Sequence, residues 1–286
     1  MNAKNPHFSH LLEINLAMLF ISTSGALGRY ILLSVPVTIA TRAILSFGIL
    51  LLYCKFKGFS LKVEDKDLPM VIFAGFLMGL HWITYFYALQ MSNVAIGMLS
   101  LFTYPVWTAL LEPVVLKTKF QKIHLLLGAL VLCGIYFLIP DFNLENSYTI
   151  AIGMGVFSAL VYAFRNLIMK PKVGKYNGSL LMSYQTGIVG VMLLPALFFT
   201  NLNEVLSQWE ALVTLALLTT AIGHTLFLLS LKHFTVTTAS ILSSAQPVYG
   251  IIIGMIFLSE FPSWSTVFGG VLILTAVVVE SVRTYR

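Results

Sequence analysis

Ten apolar stretches, each about 20 residues long, make up nearly all of this chain, at 11–33, 36–54, 68–90, 94–116, 122–139, 148–169, 178–200, 209–231, 236–258 and 263–280. A helix of that length crosses roughly 30 Å of hydrocarbon. Inside lipid a chain must satisfy its own backbone hydrogen bonds, which helices do segment by segment, so the expectation is an all-α integral membrane fold of ten transmembrane helices. Only 10% of the 286 residues are charged, against about 25% in soluble proteins, which excludes an ordinary soluble enzyme. The first stretch is too long for a signal-peptide core and lacks a small-residue cleavage site, so it is expected to stay in the mature protein. The connections are too short for a soluble domain, and whatever the protein does is expected to happen within the bilayer.

The basic residues report sidedness. Lys4, then Lys55, Lys57, Lys62 and Lys66, then Lys117, Lys119 and Lys122, then Lys170, Lys172 and Lys175, then Lys232, and finally Arg283 and Arg286 all fall on one side of a ten-span arrangement. The opposite connections hold Asp141, Glu145, Glu204, Glu210 and Glu260 and no Lys or Arg. The positive-inside rule then puts both termini in the cytoplasm. It also accounts for the net charge of +6 without a nucleic-acid partner. Cys54 and Cys133 lie in apolar runs without metal-ligand spacing, so neither a disulfide framework nor a metal is indicated.

The halves repeat at an offset of 142 residues: Leu89 with Leu231, Val94 with Val236, Pro105 with Pro247, Leu116 with Leu258 and Gly128 with Gly270. This suggests two units, 1–140 and 141–286. Five spans per unit is an odd number, so the second copy enters the membrane from the other side. Inverted repeats of this kind place a transporter's substrate site near the midplane, between the copies. Pro105 and Pro247 sit at the centres of their spans, where the missing N–H should kink each helix and leave the carbonyls of Leu101 and Ser243 without helical partners. Such backbone is tolerated against protein or a water-filled cavity, so a central cavity is expected, with Tyr104 and Gln246 beside it.

Charges within spans are costly, about 2.5–3.5 kcal/mol at a helix centre. Arg42 is too deep to snorkel, and either meets a substrate in a pocket or bonds a helix-end carbonyl. Arg29 and Arg165 lie near helix ends and are expected to reach an interface. His81 and His224 fall near the midplane; both are candidates for substrate binding and, with Glu112, for proton coupling. His81 and Tyr85 share a helix face. Tyr85, Tyr104, Tyr162 and Tyr249 place hydroxyls away from the headgroup belts where aromatic residues usually gather, which favours a lined pocket. Gly75 with Gly79 and Gly250 with Gly254 are read as packing faces.

The segment VAIGMLSLFTYPVWTALLEPVVLK, its counterpart VTTASILSSAQPVYGIIIGMIFLSEFPSWSTVFGGVLIL and the two five-span halves resemble the EamA-type permeases of the drug/metabolite transporter superfamily. The resemblance implies ten helices in two inverted halves around a central pocket, and export of small metabolites across the bacterial inner membrane. The family commonly carries Gly-Glu at the end of the fourth helix of each half. Here the second half has Ser259-Glu260, while the first has Thr118-Lys119 with Glu112 one or two turns earlier.

An intramembrane enzyme is disfavoured, because the chain has no HExxH and Asp65, Asp67 and Asp141 all lie in connections. The expectation is therefore a secondary transporter without cofactor, a monomer or homodimer in contact with membrane lipid. Its pocket suits a small zwitterion or anion such as an amino acid. Export of drugs or other lipophilic compounds is the alternative, and a channel is the reading from a different class.

Overall fold

The computed structural model of the chain describes residues 6–119, 122–138, 145–243 and 245–285. Lys4, Asp141, Arg286 and the expected boundary at 140–141 lie outside the described residues. Those described form helices and connections, with no strand among them. The helices are α1 (Pro6–Tyr30), α2 (Val35–Phe56), α3 (Leu68–Met91), α4 (Val94–Leu101), α5 (Tyr104–Leu116), α6 (Ile123–Leu138), α7 (Ser147–Val173) and α8 (Gly178–Leu197). They continue as α9 (Leu202–Ser207), α10 (Trp209–Thr214), a π-helix π1 (Leu215–His224), α11 (Thr225–Ser230), α12 (Val236–Leu242), α13 (Ala245–Leu258) and α14 (Trp264–Tyr285). Among the described residues eight helical segments are long and apolar enough to cross a membrane. The apolar parts of α6 and α14 are shorter, Leu126–Leu138 and Trp264–Ala276.

Local sequence explains the starts of these helices. Asn93, Asn146, Asn177 and Asn201 cap α4, α7, α8 and α9, each side chain accepting a backbone N–H of the first turn. That satisfies one of the donors a helix N-terminus leaves orphaned. Asp67 stands at the N-cap of α3 and Gln208 at that of α10, but neither caps its own helix. Their side chains are engaged elsewhere. The Asp67 carboxylate accepts from Lys172 Nζ at 2.6 Å, Lys175 Nζ at 2.7 Å and the Tyr176 hydroxyl at 2.7 Å. Gln208 Oε1 accepts the Leu32 amide at 2.8 Å.

The two centred prolines break their helices instead of kinking them. Pro105 lies in the first turn of α5 and Pro247 in the first turn of α13, where a missing N–H is harmless. The Ser243 carbonyl is consequently not an orphan, since it accepts the Gln246 amide at 2.9 Å. The broken pairs match in register: α4 and α12 begin at Val94 and Val236, and α5 and α13 end at Leu116 and Leu258. The next residues, Lys117 (φ 57°) and Ser259 (φ 55°), both adopt the left-handed conformation that usually ends a helix through glycine.

Packing interleaves the first part of the chain with the second. α1 lies on α13 and π1, α2 on α8, α3 and α4 on α7, and α6 on α14. Close approach is built in at small residues. A Cβ on Gly134 would stand 2.8 Å from the Gly269 carbonyl oxygen, and one on Gly269 only 2.6 Å from that of Gly134, so α6 and α14 touch backbone to backbone. Gly75 and Gly79 of α3 face Ile188 and Met192 of α8, while Gly250 and Gly254 of α13 face Met98 and Val94 of α4.

Candidate functional site

The interleaving brings seven of the eight expected binding residues around one point. Arg42, His81, Tyr85, Tyr104, Tyr162, His224 and Gln246 line a central void, joined by Ile21, Ser24, Trp82 and Leu101. Tyr249 is the exception, packing half-buried against the apolar core. The void measures about 10 Å³, at the lower limit for one water molecule, which needs roughly 10–15 Å³. The expected open cavity is thus collapsed here, its walls pressed together.

Arg42 dominates the wall. It is 1% exposed, and among the described residues no carboxylate lies within ion-pair distance. Nε donates to Thr220 Oγ1 at 2.6 Å and Nη2 to Thr219 Oγ1 at 2.9 Å. The guanidinium carbon lies 4.1 Å from the centre of the Trp82 ring and 5.6 Å from that of Phe86. Cation–π contact of this kind is worth more when desolvated, yet the positive charge remains uncompensated by a formal negative one. Both threonines belong to π1. π-helical segments are rare and frequently sit at functional sites.

The rings form a connected cluster. His81 stacks on Tyr162 with centroids 4.4 Å apart; Tyr104 meets Tyr162 edge-on at 5.2 Å, and Trp82 meets His224 at 5.6 Å. The Tyr104 hydroxyl contacts the Ser243 hydroxyl and lies 3.3 Å from the Ser240 carbonyl oxygen. Ser158 donates to the His81 carbonyl at 2.8 Å and its oxygen lies 2.8 Å from His81 Nδ1. With its single proton committed to the carbonyl, Ser158 must accept from Nδ1–H, which leaves Nε2 as the bare nitrogen. Two wall atoms have no hydrogen-bond partner among the described residues: Trp82 Nε1 and His224 Nδ1. Buried polar groups are ordinarily paired.

One expectation about a charged residue changes. Arg165 does not reach an interface; it is fully buried, donating to Gln185 Oε1 at 2.7 Å and Asn166 Oδ1 at 2.8 Å. A helix neighbour supplies amide oxygens, so the side chain need not snorkel. Glu112 lies away from the void and accepts the Thr237 hydroxyl. Arg29 is partly exposed and pairs with Glu260 at 2.8 Å. Trp82, Thr219 and Thr220 were not singled out by the sequence reading. The adjacent threonines between apolar residues near the middle of a span were the available signal.

The EamA-like transporter family model matches this chain twice, over residues 10–139 and 149–282. A threonine/homoserine exporter of Salmonella typhimurium is 24% identical over 90% of this chain and 86% of its own length. A pseudopaline exporter of Pseudomonas aeruginosa is 20% identical over 82% and 83%, and an uncharacterized transporter of Archaeoglobus fulgidus is 27% identical over 68% and 70%. One solved crystal structure superposes with a TM-score of 0.73 over 97% of this chain and 99% of its own, at 17% identity, which shows a shared fold.

Proposed function

The chain belongs to the EamA-like transporter family, and from that premise we propose that it exports a small amino acid or a similar zwitterion or anion by alternating access. The reading includes ten membrane helices in two inverted units, with both termini in the cytoplasm of a bacterium and the protein in its inner membrane. The double family match, the matched helix breaks at a 142-residue offset and the one-sided distribution of Lys and Arg support this arrangement.

The observation that carries the substrate class is Arg42, a buried guanidinium without a carboxylate partner among the described residues, beside two unpartnered polar atoms on a collapsed void. A substrate carboxylate would accept two parallel bonds from that fork and neutralise the charge. Trp82, Tyr85 and His224 would pair with its remaining polar groups, while Tyr104, Tyr162 and Gln246 set its orientation. A lipophilic cation would meet the wrong charge. The relatives that export threonine, homoserine or pseudopaline point the same way. His81 and His224 are the residues through which a pH gradient would act on the site, and Glu112 the one near the Lys-rich end.

The test is uptake of radiolabelled L-threonine and a panel of other amino acids into proteoliposomes, with and without a pH gradient, followed by binding of the best substrate and its decarboxylated analogue. Arg42→Lys should weaken the carboxylate-bearing ligand and leave the analogue unchanged. Equal loss of both, or of neither, would make Arg42 a structural residue. Single-channel conductance in a planar bilayer would replace the transporter with a pore.

A further inference from the structure

A second cavity is far larger than the central void. A groove of about 960 Å³ runs along the outside of the bundle, walled by Ile44, Phe47 and Leu51 of α2 on one side and Ile72 and Phe76 of α3 on the other, with Gly187, Gly190 and Val191 of α8 on its floor. Its lining is almost wholly apolar, and its size is at the upper end of pockets that hold small ligands. α2 and α3 diverge over α8, and none of the described residues covers the groove. All three helices are long and apolar enough to cross a membrane.

One end of the groove is different in character. Leu61 lines it there, and the Leu61 carbonyl accepts the Tyr184 hydroxyl at 3.0 Å. That bond ties the α2–α3 connection to α8 at this end of the groove, and the same connection carries the exposed side chains of Lys57 and Lys62. Among the described residues neither lysine lies within 4 Å of a carboxylate, unlike Lys66, which pairs with Glu64 at 3.1 Å. An apolar trough with two exposed, unpaired lysines on the connection at one end matches an amphiphile with an acyl tail and an anionic head.

We propose that this groove is a binding site for one anionic phospholipid, its acyl chains lying between α2 and α3 and its phosphate at Lys57 and Lys62. The inference is independent of the transported substrate. Basic residues at a membrane surface attract anionic headgroups, whereas apolar chains supply contact without head preference. Charge and groove should therefore contribute separately measurable effects.

The experiment is native mass spectrometry of the full chain in detergent, titrated with phosphatidylglycerol or with phosphatidylcholine of the same chains. The expected result is one phosphatidylglycerol retained roughly thirtyfold more tightly than phosphatidylcholine, the scale of two lysines acting on one headgroup. Lys57→Ala with Lys62→Ala should remove the preference while weak binding of both lipids remains. Val191→Trp, at a floor position 74% exposed, should fill the groove and weaken both lipids without lowering the melting temperature. Equal retention of the two lipids by the native chain overturns the proposal. So does a preference that survives the double lysine change, lipid binding indifferent to Val191→Trp, or a dimer whose interface occupies the groove.

Discussion

The Glu260 carboxylate joins three helices at one end of the bundle, accepting Arg29 Nε at 2.8 Å on one oxygen and the Val94 amide at 2.8 Å on the other. Arg29 Nη1 also donates to the Gln90 carbonyl at 3.0 Å, so α1, α3, α4 and the end of α13 meet there. At the opposite end Asp67 gathers Lys172, Lys175 and Tyr176. Each polar cluster bridges the first and second parts of the chain, and the central void lies between them.

If the Glu260 cluster seals its end, Glu260→Gln should make the void more accessible from that side. The measurement is maleimide labelling of a cysteine placed at Ser24, in a Cys133→Ser background. Labelling should rise roughly fivefold, the population shift that about 1 kcal/mol produces. The double exchange Arg29→Glu with Glu260→Arg should recover part of the seal. Labelling that stays constant in all variants would remove the gating role.

Asp67 gives the other end a pH signature. Hydrogen bonds from Lys172, Lys175 and Tyr176 hold its carboxyl well below the usual carboxylate range, and Lys175 with Lys66 lowers Glu64 as well. A depressed pKa means that the stabilisation is fully present above the unfolded-state value of about 3.9 and is lost as pH falls through the folded value. The melting-temperature difference between the native chain and Asp67→Asn should be constant from pH 7 to about 5 and shrink below about pH 4. A difference that shrinks already between pH 7 and 6 would assign the effect to another group. Lys175, raised by Asp67 and then Glu64, keeps its contribution below its unfolded-state value of about 10.4 and loses it only as pH rises through the higher folded value.

Gly155 tests the contact between α7 and α4. A Cβ there would lie 1.9 Å from Ser100 Oγ and 2.7 Å from Ser100 Cβ. The hydroxyl can rotate away but the Cβ cannot, so the helices must part. Gly155→Ala should destabilise by about 1–3 kcal/mol, as overpacking does. Gly254→Ala, whose nearest neighbours are Val94 side-chain atoms at 3.1–3.2 Å, should be milder in the same thermal-shift assay.

Ser259 and Lys117 carry positive φ without being glycine. The left-handed conformation disfavours a side chain by roughly 1–2 kcal/mol, so Ser259→Gly should raise thermal stability by about 1 kcal/mol. No change would mean that Ser259 makes a compensating contact.

Much of this architecture was legible because lipid imposes a strict code: length and hydropathy fix a span, and charge asymmetry fixes its expected direction. The grouping of His81, Tyr162 and Gln246 around one point was legible for the same reason, since polar side chains at one depth have few places to go. What sequence did not disclose was partner identity. Arg165 looked able to snorkel by position along its helix, but Gln185 and Asn166 supply its bonds inside. Periodicity likewise gave no sign that Thr219 and Thr220 would sit on a π-helix facing Arg42, or that the walls of the cavity would close on each other.

A void with room for one water at most has an electrical meaning. Protons cross membranes along files of hydrogen-bonded water, and a void of this size holds no such file. The contact among these side chains therefore interrupts proton conduction at the point where the two parts of the chain meet.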